Sequence, residues 1–349
     1  MTSTTTRRLT TAALAAGAAL SLVGCSSAAG EGGGDQATLM LDVAVLPKHA
    51  PFYAAVSEGF FKAEGIDLKL MPGSGSGNTV TSVDTGRVDF GWADFGVTIL
   101  NQGKGAKVKQ IDLVQGSSAY STIALPDSGI KDWKDLKGRT VATEGNGAMT
   151  SMLPAALSKV GFGPGDVKVV NVTGESKIPG LIAKKWDANL ALFVSDAPVL
   201  KSKGVDPVVL KWADIGIQYY GNGIIASDAT LKDRSDLVKR FNSALQKGFL
   251  WACANPDAAA DDFNAEVRGF DKATVVDAVN QQCTLTWTDE NKSLGYGAMS
   301  DKGVQQLIDV AGRYLGLKDP AALKPSQVYS NDYLTKLAPT DKVTAPKTS

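Results

Sequence analysis

Short apolar runs, broken by glycine, proline and small polar residues, recur along this chain at the spacing of alternating strands and helices. Leu39 to Leu46 reads as a strand, and Pro51 opens a helix that continues through Phe61 and stops near Gly65. Ile66 to Met71 is a second strand, Pro72 to Asn78 a Gly/Ser loop, and Thr79 to Thr85 a short helix closed by Gly86. Val88 to Trp92 forms a third strand, Asp94 can cap a helix running to Gln102, and Val108 to Val114 is a fourth strand. This alternation predicts parallel crossovers and an α/β unit with helices on both faces of its sheet.

A second unit follows the same grammar. After Ser121 to Leu125 come strands at Thr140 to Thr143, Val167 to Val172, Asn189 to Phe193 and Val208 to Leu210. Helices separate them at Ala148 to Val160, Ile178 to Lys185 and Ala197 to Lys203. Gly223 to Ser227 resumes as a strand that carries the chain back toward the first unit. From Ser235 the period changes to three and four, with Leu237, Val238, Phe241, Leu245 and Phe249 on one stripe. Further helices are predicted over Pro256 to Val267, Lys272 to Gln282, Val304 to Leu315 and Tyr333 to Leu337. Their apolar stripes read as core packing.

The start of the chain has a different character. Arg7 and Arg8 precede a charge-free apolar run from Thr11 to Gly24, shorter than the roughly 20 residues a spanning helix needs. Leu22-Val23-Gly24-Cys25 looks like a bacterial lipoprotein signal, in which cleavage leaves Cys25 first and able to carry lipid. The other reading is an ordinary signal peptide with a coincidental cysteine. Both place the folded part outside the cytosol. The expected organisation is a leader over 1–24 and a flexible tether over 25–36. A first lobe over 37–120, a second over 121–222, a mostly helical return to the first over 223–337 and a flexible tail over 338–349 follow.

Charge narrows the partners. The chain carries 36 basic and 36 acidic residues, and losing Arg7 and Arg8 leaves 34 against 36. No basic stripe exists to hold a phosphate backbone, so nucleic acid is not an expected partner. Beside Cys25 stand only Cys253 and Cys283, an even pair in an oxidising compartment. They read either as a disulfide stapling two C-terminal helices or as two buried thiols, and export favours the bridge.

Several stretches together carry a family resemblance. His49 to Leu68 reads HAPFYAAVSEGFFKAEGIDL, followed by the Gly/Ser loop and by TGRVDFGWAD from Thr85 to Asp94. DSGIKDWKDLKGRTVA spans Asp127 to Ala142, and NPDAA spans Asn255 to Ala259. In this order and spacing they resemble the extracytoplasmic solute-binding proteins of ABC importers in the nitrate, sulfonate and taurine group. That group also includes carriers of the thiamine pyrimidine precursor (SsuA/ThiY-like, NMT1-like). The resemblance implies a type II periplasmic-binding-protein fold, with two α/β lobes joined by two crossing segments, here Ser117 to Leu125 and Tyr219 to Ser227. It also implies closure on a small-molecule solute and delivery to an ABC permease and its ATPase. Fungal pyrimidine synthases share the superfamily and use a histidine near the position of His49 together with a Cys-rich segment, which this chain lacks.

Ligands of open α/β sheets collect at the carboxyl ends of strands. That rule selects His49, Ser74, Ser76, Asn78, Trp92, Asp94, Asn146, Thr150, Ser195 and Asp196 as candidate contacts; Tyr53 on the adjoining helix and Tyr220 on the crossing over 219–222, expected to line the cleft wall, join them. His49, the one histidine, stands at a helix start, where its ring either faces the cleft or is a satisfied structural group. Ser74, Ser76 and Asn78, like Asn146 and Thr150, lie on Gly-rich loops entering helices, whose free N–H groups can hold an oxygen. Those glycines alternatively just make tight turns. Trp92 beside Asp94 suits a planar nitrogen-bearing solute or a cation, or else they are a core residue and a helix cap. Ser195 and Asp196 carry the same ambiguity. Tyr53 faces cleft or sheet, and one of Tyr219 and Tyr220 is expected to meet solute.

Asp94, Glu144 and Asp196 are acidic, and Lys48 is the one basic residue in these segments. The balance favours a neutral or cationic heterocycle, such as a pyrimidine or related vitamin precursor, with a sulfonate, taurine or nitrate close behind. No cofactor and no metal is expected, and no nucleophile elbow or metal-spaced histidine pair stands in the chain. The rival readings are an exported enzyme related to the pyrimidine synthases and a ligand sensor on the same fold.

Overall fold

The computed structural model describes residues 34–144, 148–163 and 165–346. The Cys25 lipidation site and the leader therefore lie outside the described residues. β1 (Asp35–Met40) pairs in parallel with β2 (Ile66–Met71) along its whole length and with β3 (Phe90–Asp94) at Leu39 and Met40. β4 (Val108–Asp112) follows, and β5 (Tyr120–Ala124) enters a second sheet with β6 (Thr140–Thr143), β7 (Lys168–Asn171), β8 (Ala188–Leu192) and β9 (Val208–Lys211). β10 (Asn222–Ser227) then returns to the first sheet.

The two sheets share one plan. Their orders are β2-β1-β3-β10-β4 and β7-β6-β8-β5-β9. In each, four strands run in one direction, and the fourth position is filled by a single antiparallel strand out of chain order: β10 between β3 and β4, β5 between β8 and β9. Both sheets are thus mixed, where strand–helix alternation alone predicted parallel crossovers. The segments leading into β5 and β10 pair with each other. Gln115 N–H donates to Asn222 O at 2.9 Å, Gly221 N–H to Gln115 O at 2.9 Å and Ser118 N–H to Tyr219 O at 2.8 Å.

Long-range pairing moves several element boundaries. β1 begins at Asp35, inside the expected tether, because Asp35 N–H donates to Gly65 O and Arg240 holds the Asp35 carboxylate. It ends at Met40, because the loop before residue 76 folds over Asp42 and Val43. Gly73 N–H donates to Val43 O and Gly75 N–H to Asp42 O. Gly73 is required there, since a Cβ would lie 1.9 Å from Leu41 O. The predicted helix over 51–61 is broken at Gly59, whose φ of 77° separates helix Ala50–Ser57 from Phe60–Ala63. Residues 333–337 are irregular, because Thr335 N–H donates to Gln246 Oε1 and Leu337 O accepts from Tyr296 N–H. In the expected flexible tail, Val343 and Ala345 pack on the first sheet's core.

Helix Ser235–Ala254 covers that core with the predicted stripe. Phe241 stacks on Phe90 with ring centroids 3.8 Å apart and 15° between planes. Gly248 lets it approach helix Ala50–Ser57, where a Cβ would meet Ala55 Cβ at 2.3 Å. A disulfide between Cys253 and Cys283 ties this helix to helix Lys272–Cys283, with Cα atoms 5.7 Å apart and 30 residues between them. Closing a loop of that length restricts the unfolded chain by about 3–4 kcal/mol. The Cys253→Ser/Cys283→Ser double variant should lose stability of that order in denaturant titrations. A midpoint equal to that of the oxidised wild type would contradict this.

Candidate functional site

A cleft of about 570 Å³ opens between the two sheets, where their parallel strands end. The first sheet supplies Asp42 after β1, the Ser74–Asn78 loop after β2, and Asp94 at the end of β3. The second supplies Thr143 and Glu144 after β6, and Leu192, Ser195 and Asp196 at and after the end of β8. The antiparallel strands present their starts instead, Tyr120 of β5 and Asn222 of β10. Val97, Leu100, Met149, Leu190 and Leu315 add apolar surface.

Asp42 organises the first wall. Lys48 Nζ donates to its Oδ2 at 2.6 Å, Asn222 Nδ2 to the same oxygen at 2.9 Å, and His49 Nε2 meets Oδ1 at 2.9 Å. Burial opposes ionisation of Asp42, but the Lys48 ammonium and the His49 hydrogen bond together hold its carboxyl well below the usual carboxylate range. His49 Nδ1 accepts the Leu46 N–H at 2.9 Å, so the ring is assigned the tautomer that donates from Nε2 to Asp42. Burial drives the His49 pKa down to about 4, against the opposing pull of the Asp42 hydrogen bond. A neutral imidazole here has both nitrogens spent and no exposed surface.

Lys177 organises the second wall from helix Gly174–Ile182. The residue is 7 % exposed, and its ammonium lies 3.2 Å from Glu144 Oε1 and 3.5 Å from Asp196 Oδ2 and donates to Leu190 O at 3.1 Å. Burial works against its proton, yet Asp196 and Glu144 prevail and hold its pKa above the ordinary lysine value. Ser195 Oγ donates to Asp196 Oδ1 at 3.1 Å. Asp94 bridges the walls: Oδ1 caps helix Phe95–Gln102 through Val97 N–H at 2.9 Å, and Oδ2 accepts from Tyr120 Oη at 2.5 Å. Burial raises the pKa of Asp94, partly offset by these hydrogen bonds.

Of the residues selected from sequence, Ser74, Ser76, Asn78, Asp94, Ser195 and Asp196 line this cleft. Ser76 also anchors the wall, its Oγ accepting from Asp94 N–H at 3.0 Å. Five others stand elsewhere. His49 lies behind Asp42, and Trp92 lies beneath Lys48 (5.2 Å from Nζ to the ring centre) and packs on Phe52. Tyr53 packs edge-on against Phe263, because helix Ala50–Ser57 turns it toward the C-terminal helices. Thr150 spends its hydroxyl on Thr143 and Glu144 O, and Tyr220 donates to Glu290 at 2.6 Å. Asn146 lies outside the described residues.

Sequence reasoning missed Asp42, Tyr120 and Lys177, while it counted Lys48 only as charge and Asn222 only as the end of a crossing segment beside the cleft. Drawing the first strand through Leu46 put Asp42 in mid-strand, although it follows the strand's true end. Tyr120 and Asn222 stand at the amino ends of strands whose direction only the pairing reveals. No local pattern marks a buried lysine such as Lys177.

The single histidine makes the first wall testable by pH. The unfolded chain protonates His49 near 6.5 and the folded one only near 4, so its contribution is present above 6.5 and lost as pH falls toward 4. The stability of the wild type relative to His49→Gln should therefore fall by roughly 3 kcal/mol across that window. Denaturant titrations at intervals of pH measure it, and a constant difference would place a charged or exposed imidazole there.

The fold and the sequence have known counterparts. The chain resembles the Bacillus subtilis (strain 168) binding protein YtlA, at 26 % identity over 225 residues, 62 % of this chain and 67 % of that protein. The riboflavin-binding protein RibY of Chloroflexus aurantiacus is 26 % identical over 229 residues, 65 % of each chain. The matched segments thus span about two thirds of these relatives. A pyrimidine phosphate synthase of Aspergillus parasiticus, named for 4-amino-5-hydroxymethyl-2-methylpyrimidine phosphate, is 25 % identical over 241 residues, 66 % of this chain and 70 % of that one. Among solved structures, the periplasmic aliphatic sulphonate binding protein SsuA of Escherichia coli superposes with a TM-score of 0.66 at 14 % identity, over 86 % of this chain and 99 % of that one. The architecture is that of periplasmic solute-binding proteins, two mixed sheets with flanking helices. Residues 46–259 match the family model described as NMT1/THI5 like, and the chain belongs to that family.

Proposed function

We propose that this protein captures a small organic solute in the cleft outside the cytosol and hands it to the permease and ATPase of an ABC importer. The observation that carries the reading is the cleft's construction from both sheets, with polar groups from each wall converging over apolar surface. Closure of two such walls on one molecule follows from its higher affinity for the shut form. Capture rather than catalysis is supported by His49, the one histidine of the chain. Its ring is buried behind Asp42 with both nitrogens occupied. The Leu22-Val23-Gly24-Cys25 sequence supports membrane tethering through a lipid on Cys25. Among the described residues no helix is long and apolar enough to cross a membrane.

The solute we favour is a neutral or cationic heterocycle of the pyrimidine or vitamin-precursor kind. At roughly 30 Å³ per water-sized group, 570 Å³ has room for about twenty, far more than a four-atom nitrate fills. Asp42, Asp94, Glu144 and Asp196 face the cleft against Lys48, Lys177 and Lys104, and among the described residues no arginine lines it. Lys48 and Lys177 are already paired with carboxylates, which leaves little positive charge for a sulfonate. RibY and a formylaminopyrimidine-binding protein, 23 % identical over 223 residues, are named for nitrogen heterocycles.

A thermal-shift panel of riboflavin, aminopyrimidines, taurine, alkylsulfonates and nitrate tests this. A ligand at a hundred times its Kd should stabilise the protein by about 2.7 kcal/mol. Shifts with anions alone would overturn the heterocycle, and turnover of any panel member would overturn capture. Asp196→Asn should weaken the bound heterocycle by roughly tenfold or more, as for a charge-assisted hydrogen bond, while calorimetry showing unchanged affinity would return Asp196 to a purely structural role.

A further inference from the structure

Away from the cleft, Asp112 closes β4 at the root of the first connection between the sheets. Its side chain is wholly buried, and neither carboxyl oxygen has a hydrogen-bond partner among the described residues. The groups packed around it are neutral. β10 brings Gly223 and Ile224, the latter directly opposite Asp112 where the β10–β4 register shifts. A Cβ on Gly297 would lie 2.4 Å from Asp112 Oδ1 and 2.8 Å from Gln246 Nε2, which places the 295–299 turn and helix Ser235–Ala254 against the carboxyl group. Gln110 from its own strand and Asn242, which donates to Ile111 O, complete the surroundings. Among the described residues the titratable neighbour is Tyr296, whose buried hydroxyl is also unpartnered there and whose pKa lies well above normal through burial and then through Asp112.

An ionised carboxylate buried in this way has no protein donor and no neighbouring cation among the described residues to compensate it. The connection begins immediately beyond it. Leu113 N–H donates to Gly297 O at 2.9 Å, and two residues later Gln115 pairs with Asn222 and Gly221 of the second connection. We propose that Asp112 is a protonated carboxylic acid in the folded protein at neutral pH, and that its ionisation in alkali loosens the first connection between the two sheets. Burial accordingly raises its pKa to about 8, against the opposing effect of the nearby Gln246 amide. This inference stands independently of the solute and of transport.

The sign of the effect is fixed. The unfolded chain releases this proton near 3.8 and the folded one near 8, so folding is progressively disfavoured across that interval and no further above it. Asp112→Asn keeps the shape and cannot ionise. Its stability relative to wild type should grow from about pH 4 to about pH 8 and then level off in denaturant titrations. A difference that is flat, or that runs the other way, overturns the protonated state. Carbon-13 carboxyl titration of the wild type alone gives a second reading, which survives if the variant fails to fold. One aspartate resonance should titrate near 8, and a set that has all titrated by about pH 6 overturns the proposal. Hydrogen exchange of peptides spanning 108–119, corrected for intrinsic rates, tests the loosening. Wild type should lose protection severalfold between about pH 6.5 and about pH 9.5 while the variant keeps it, and equal protection overturns that half.

Discussion

Each sheet is completed by a strand that the chain delivers from the other side. β5 enters the second sheet directly after the first sheet's β4, and β10 returns to the first after the second sheet's β9. Because both inserted strands run antiparallel to their neighbours, their starts lie level with the ends of the parallel strands. The two connecting segments are thereby forced side by side, where their backbones pair. Loop ends, helix starts and the first residues of β5 and β10 all converge on one volume. The cleft is a consequence of that topology.

Convergence alone would leave a set of carboxylates facing one another in a desolvated space. The chain compensates three of them with two lysines: Lys48 lies six residues after Asp42, while Lys177 reaches both Glu144 and Asp196 from helix Gly174–Ile182, and Asp94 is met by Tyr120. Buried pairs of this kind add little net stability over apolar packing, but removing one partner strands a charge. Their value is in fixed geometry. Asp42 is held from three directions by donors on the segment after β1 and on β10, so its position reports the join between the returning strand and the rest of the first sheet. The histidine and tryptophan that read as ligand contacts belong to the support of this arrangement.

How much of this was legible follows from which forces are local. The strand–helix alternation and the helical stripe from Leu237 to Phe249 are set by periodicity: the alternation keeps its order though its boundaries shift, and the stripe stands where the sequence places it. The Ser74–Asn78 loop, Asp94 and Ser195-Asp196 were found by a rule about strand ends that needs only approximate boundaries. Asp42 was lost to a boundary error of a few residues, because the Gly73 loop displaces the strand pairing that Leu41 to Val45 would otherwise make. Tyr120 and Asn222 required strand direction, which is a property of the whole sheet. Lys177 required knowing that two acids would meet it, and nothing within its own helix says so.

Two buried groups outside the lysine pairs tie the fold to pH in opposite senses. His49 is held neutral and favours the folded state less as pH falls from about 6.5 to about 4, whereas Asp112 is held neutral and favours it more over the same interval. One group binds fewer protons when folded and the other binds more, so in wild type their slopes oppose each other there. A nearly level stability curve in mild acid would then be no sign that either group is ordinary. Above 6.5 the histidine contributes no further change, while Asp112 continues to oppose folding up to about 8. The imbalance emerges on the alkaline side, and there it acts at the root of the connection on which the arrangement of the two sheets rests.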